Sequence, residues 1–148
     1  MKILPLLLVS CLLSLAACDP VDNEKKAAPY SLNAEQIIAA VDSGDPNLYA
    51  KLLTDNSVFR FANYPPVKGK PDIFSAQSDF YASVKSTKHE IIRVWQDNET
   101  IVADMLVTYV RHDGSTITLP VVDIFEIEDN KISATLIYMD INPLHASD

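Results

Sequence analysis

The chain has 148 residues and a formal net charge of -8, with a pI near 4.7. That length makes one domain with a real core, and the acidic balance argues against a nucleic-acid binder, which needs a basic patch to neutralise phosphates. Only Gly44, Gly69 and Gly114 are present, too few for a glycine-rich phosphate loop or a dinucleotide fingerprint, and no G-x-S-x-G elbow occurs.

The first stretch, MKILPLLLVSCLLSLAAC, opens with Lys2 and runs apolar to Ala17. It fits a secretory signal peptide over residues 1–17. Its end, Leu15-Ala16-Ala17-Cys18, resembles a bacterial lipobox. The resemblance implies that Cys18 becomes the first residue after cleavage and is acylated, which anchors the chain to a membrane; several acyl chains hold where one is marginal. Asp19 resembles the signal that keeps lipoproteins of enteric-type bacteria in the inner membrane. The expected location is therefore the periplasmic side of the cell envelope. Cys11 lies in the removed segment, so no disulfide is expected. Residues 18–32 carry the lipidated cysteine and a polar, aperiodic tether with two prolines.

The domain is expected over 33–144, followed by a tail at 145–148. Asn33 and Gln36 form a capping box, with Leu32 and Ile37 placed for a hydrophobic staple. The helix runs to about Ser43 and stops at Gly44. Asp45-Pro46 starts a second, short helix. Residues 57–62 read as a strand and NYPPVKG as a loop. Pro71 opens a third helix with the stripe Ile73, Phe80 and Val84. From Lys88 the pattern becomes β, over 88–96, 99–112, 115–128 and 131–141, with two-residue turns at Asp97-Asn98, Asp113-Gly114 and Asp129-Asn130. The fold class is α+β, with N-terminal helices packed on a curved, mainly antiparallel sheet.

Asp123 stands inside the apolar run Val121-Val122-Asp123-Ile124-Phe125. A carboxylate buried there takes a proton or finds a partner. A two-residue Asp113-Gly114 loop pairs His112 with Ser115 and puts Asp104 opposite Asp123, about 4.5–5.5 Å away at Cβ. The Asp129-Asn130 turn then places Tyr138 and Asp140 on the same face. A bulge would flip every residue beyond it. Met105, Val107, Tyr109, Val122 and Ile124 fall on the other face, whose apolar character points to a homodimer. His89, His112 and His145 have no ligand spacing and read as surface or filler residues, so no metal or other cofactor is expected.

The helix end VDSGDPNLYAKLLTDNSVF and the last hairpin VVDIFEIEDNKISATLIYMDINPL resemble the SnoaL-like group of the nuclear transport factor 2-like superfamily, over roughly 33–144. The resemblance implies a cone with a pocket at its open end, and dimers through the sheet. Ketosteroid isomerase is a more distant relative. Its protonated aspartate matches Asp123, but its phenol falls on Ile37 and its general base on Arg60, and arginine cannot be a base. The last aspartate of the superfamily's epoxide hydrolases falls near Ile137. Asp123 is thus open to three readings: an acid coupled to Asp104, an ion pair with Arg60, or a carboxyl satisfied by backbone or water. Arg60, Tyr64, Trp95, Tyr138 and Asp140 are the expected pocket residues, with Phe80 alongside. The leading functional expectation is a small, largely apolar ligand in a pocket polarised by Asp123. The alternatives are an isomerase, cyclase or dehydratase using Asp104 and Asp123 as acid and base, and a protein-interaction module of an envelope complex.

Overall fold

The computed structural model describes residues 32–145; the stretches read as signal peptide and tether, with Cys18 and Asp19, lie outside these residues but for Leu32. The chain order is α1 (Ala34–Asp42), α2 (Pro46–Ala50), β1 (Leu53–Phe61), β2 (Val67–Lys68), α3 (Lys70–Ser83), β3 (Ser86–Gln96), β4 (Thr100–Val110), β5 (Thr116–Glu128), β6 (Lys131–Tyr138) and α4 (Asn142–His145). The six strands form one sheet in the order β2-β1-β6-β5-β4-β3. All pairs are antiparallel except β1 with β6.

The local signals act as their chemistry dictates. Asn33 accepts from the Gln36 N–H at 2.9 Å while the Gln36 side chain accepts from the Asn33 N–H at 3.1 Å, so two orphan donors of α1 are satisfied. Gly44, at φ +68, takes the left-handed conformation that ends the helix. Asp45 caps α2 through the Asn47 N–H at 2.9 Å. Asp129 and Asn130 both have positive φ, as a tight turn between right-twisted strands requires. The stretch read as a loop before Gly69 holds the two-residue strand β2, paired to Val58 and Phe59 of β1.

Register corrects the face assignment. Arg111 and Ser115 bond across the β4–β5 hairpin, so its loop is three residues, His112-Asp113-Gly114, with Gly114 at φ +89. This is a turn followed by a left-handed residue, and it shifts the pairing by one. Asp123 therefore faces Ala103, and Asp104 faces Val122 on the other side of the sheet. The Asp129-Asn130 turn keeps Glu128 against Lys131, but a bulge follows, with Ser133 the extra residue; beyond it Asp123 lies opposite Ile137, not Leu136. Tyr138 and Asp123 consequently point to opposite faces. The first meander turn also sits one residue later than read, closing from Asp97 to Thr100, because the Asp97 carboxylate accepts from the Glu99 and Thr100 N–H groups.

The covered face of the sheet carries Ile101, Ala103, Met105, Val107, Tyr109, Val121 and Phe125, all buried, and packs against Ile37 and Ile38 of α1, Tyr49 of α2 and Ile73 of α3. Met105 and Tyr109 thus belong to the core, not to the outer face assigned from the register.

Candidate functional site

The helices do not fill the hollow of the sheet. They leave a cavity of about 260 Å³, lined mainly by apolar and aromatic side chains from α1, α2, α3 and β1 and from the covered face of β3 to β6. Asp123 reaches it from β5. The residue is 4 % exposed, and its Oδ1 is buried without a hydrogen-bond partner. Burial pushes its carboxyl up to about 7, against a smaller opposing pull from the positive form of His89.

His89 lines the same cavity from β3. Its Nδ1 is 2.6 Å from Asp42 Oδ1 at the end of α1, and the two side chains are only 9 % and 8 % exposed. The His89 backbone N–H also donates to Asp42 at 3.0 Å, and Lys88 Nζ stands 3.1 Å from the other carboxylate oxygen. Burial alone would raise the Asp42 carboxyl. The hydrogen bonds from the His89 ring and backbone, the His89 charge and Lys88 outweigh it and hold the group below its ordinary value. An ionised Asp42 only accepts, so Nδ1 carries the hydrogen and Nε2 is the ring nitrogen left for the cavity.

Three tyrosines enclose the space, each with its hydroxyl engaged. Tyr49 meets Thr135 Oγ1 at 2.5 Å, Tyr81 donates to the Val41 carbonyl at 3.1 Å, and Tyr109 donates to Met139 Sδ at 3.6 Å. Burial raises all three phenols, Tyr81 to about 12, so they stay neutral at any ordinary pH. Phe80 packs 6.1 Å from Phe61 and edge-on to Tyr109 at 6.0 Å, and the Tyr64 ring lies tilted 6.4 Å from that of Phe61.

Of the residues singled out in the sequence, Asp123, Tyr64 and Phe80 line this cavity. Asp104 does not, because of the register. Arg60 lies opposite Leu136 on the outer face, where its guanidinium bonds the Tyr138 hydroxyl and stacks 5.0 Å from that ring. It forms no pair with Asp123. Trp95 is 51 % exposed on the outer face, under Arg93 at 5.2 Å. Asp140 borders a separate, more polar cavity with Asn63, Tyr64 and Asn142. His89 is the opposite case, read as filler yet buried beside the cavity with a carboxylate partner. A signal was present: Thr87, His89 and Ile91 alternate with Lys88 and Glu90, which marks His89 as inward. Among the described residues no group of three or more His, Cys, Asp and Glu is placed to hold a metal ion.

A family model described as SnoaL-like domain matches residues 34–135. The chain belongs to the SnoaL-like family. Solved structures show its fold, that of the nuclear transport factor 2-like cone. An epoxide hydrolase-like structure from M. tuberculosis is 17 % identical, with 73 % of this chain and 80 % of that one covered and a TM-score of 0.64. A hypothetical protein of Catenulispora acidiphila with a ketosteroid isomerase-like fold, solved in complex with trimethylamine, is 12 % identical over 70 % and 82 % of the two chains, at 0.65. A candidate SnoaL-like polyketide cyclase from Jannaschia sp. is 14 % identical over 75 % and 87 %, at 0.64. No curated protein matches the chain. At these identities the likeness fixes the architecture of the SnoaL-like domain and leaves its chemistry to its own residues.

Proposed function

We propose that this SnoaL-like domain binds a small, largely apolar molecule in the cavity, with Asp123 as its polar anchor. The observation that carries the reading is Asp123, a carboxyl lining an apolar cavity, whose Oδ1 is buried with no partner. An unsatisfied buried acceptor or donor costs about 1–3 kcal/mol, which a carbonyl or hydroxyl on a ligand would recover. The cavity lies just below the span of ~300–1,000 Å³ that suits drug-sized ligands, which favours a compact guest. The solved relative with trimethylamine bound accords with a small-molecule site in this fold. Saturation-transfer NMR with small cyclic ketones, alcohols and hydrocarbons tests the reading. Binding should be abolished by Ala76→Phe, which fills the space, and Asp123→Asn should weaken oxygen-bearing guests about tenfold more than hydrocarbons. Binding indifferent to Ala76→Phe would place the guest elsewhere and end the proposal.

In this reading the domain is held at the periplasmic side of the inner membrane by a lipidated Cys18, as the lipobox resemblance and Asp19 imply. The support is the sequence Leu15-Ala16-Ala17-Cys18-Asp19. Cys18→Ser should release the chain from the membrane fraction; a variant that still fractionates with membranes contradicts the anchor. The outer sheet face is the proposed homodimer surface.

A further inference from the structure

We propose that the cavity takes a compact tertiary amine in its protonated form, held as an ion pair by Asp123 among aromatic rings. This rests on the binding reading above and names the guest. The sign of the guest's charge follows from what lines the space. Phe59, Phe61, Phe80 and Phe125 share the wall with Tyr49 and Tyr109, and among the described residues no lysine or arginine lines it. An anion would find only the His89 ring, whose Nδ1 already serves Asp42 at 2.6 Å, and would meet the Asp123 carboxyl as well. A cation meets the opposite situation. An aromatic ring carries negative charge on its face and attracts a cation, more strongly where water is excluded. The Phe61 and Phe80 rings stand 6.1 Å apart and those of Phe80 and Tyr109 6.0 Å apart, so β1, α3 and β4 contribute to one continuous aromatic wall. Tyr49 and Tyr109 lie close enough to Asp123 to feel its charge, and their hydroxyls are engaged with Thr135 and Met139.

Asp123 completes the site with an Oδ1 that is buried and has no partner. Of the titratable groups that share the cavity with it, Tyr49 on α2, Tyr81 on α3 and Tyr109 on β4 stay neutral, and His89 on β3 is tied to Asp42. The lining from α1, β1 and β6 is not ionisable: Val41, Phe59 and Phe61, Thr135 and Ile137. Without a guest the carboxyl keeps its proton up to about pH 7, because the ionised form would be stranded among apolar groups. A protonated amine supplies the missing charge. On binding, the Asp123 proton leaves to solvent and the carboxylate accepts the N–H of the guest. The complex then has the same net charge as the empty site with its carboxyl protonated, so no net charge is buried. A tertiary amine suits the site because it has one N–H for one free acceptor and is otherwise hydrocarbon. A primary ammonium would carry two further donors into an apolar space. The volume of about 260 Å³ sets the limit to a compact guest.

The test compares three rings of one shape, N-methylpiperidine, methylcyclohexanol and methylcyclohexane, by saturation-transfer NMR with the full chain. At about pH 8 the amine should bind at least tenfold more tightly than either neutral ring. Its affinity should rise about tenfold from about pH 6 to about pH 8, in step with the ionised fraction of a carboxyl that titrates near 7. The neutral rings should show no such rise. The amine itself stays protonated over this range, as an alkylammonium does. In Asp123→Asn the amine should lose both its advantage and its pH dependence. If the wild-type chain binds a neutral ring as tightly as the amine at about pH 8, the inference is overturned and the binding reading stands. An amine preference that survives in Asp123→Asn overturns it too, by placing the cation elsewhere. If none of the three binds, both readings fall. Because the wild type alone decides between charged and neutral guests, misfolding of the variant does not rescue the idea.

Discussion

At the scale of single residues, the site depends on two carboxylates treated in opposite ways by the fold. Asp123 is buried among aromatic and apolar side chains without a cation in contact, and so resists ionisation. Asp42 is only part-buried and receives the His89 ring, the His89 N–H and Lys88, and so stays charged. Its stabilising contribution is present above the ordinary carboxyl range and disappears as pH falls through its lowered value. Asp42→Asn is therefore expected to cost about 1.5–3 kcal/mol at pH 7, the range for hydrogen bonds to a charged group, and less at about pH 2, as measured by urea unfolding. A cost equal at both pH values would show that charge at Asp42 is irrelevant to the His89 geometry. Asp42 was invisible as a site residue because its partner is 47 positions away, and sequence spacing says nothing about such a pairing.

At the scale of elements, the sheet has a covered face and an outer one. Val102, Leu106, Val122, Ile124 and Leu136 make the outer face half-buried and apolar, extended by exposed Ile92, Trp95 and Tyr138. An apolar surface of this kind is covered in most soluble chains, and a second copy is the proposed cover. Sedimentation should give a dimer for the wild type and a folded monomer for Leu106→Glu; a monomeric wild type at micromolar concentration would rule the dimer out. Helix ends and turns were legible because caps, Pro46 and the Asp129-Asn130 pair act over three or four residues. Faces were not. One extra residue in the Gly114 loop and one at Ser133 each invert every side chain beyond them, and neither insertion has a signature stronger than a glycine or a serine. Asp104, Tyr138 and Asp140 were lost from the site by those two shifts, and Met105 and Tyr109 moved into the core.

At the scale of the whole molecule, the fold and the solitary acid are energetically linked. The family resemblance carried by the helix end and the last hairpin identifies the architecture, yet the cavity's character comes from residues far apart in sequence: Asp42, Tyr49, His89, Asp123 and Thr135. Folding hides a carboxyl whose titration moves from 3.8 to about 7, so the native state binds the extra proton between those values. Stability from this group is full below about pH 4 and is lost as pH rises towards 7, amounting to about 4 kcal/mol. Asp123→Asn removes the penalty while keeping the shape. The deciding measurement is the unfolding free energy of the wild type and of Asp123→Asn across pH 4 to 8. The variant should gain on the wild type steadily over that range, by several kcal/mol in all. A difference that stays constant with pH would mean that Asp123 ionises as freely in the folded chain as in the unfolded one, and that no unpartnered acid stands buried at the cavity.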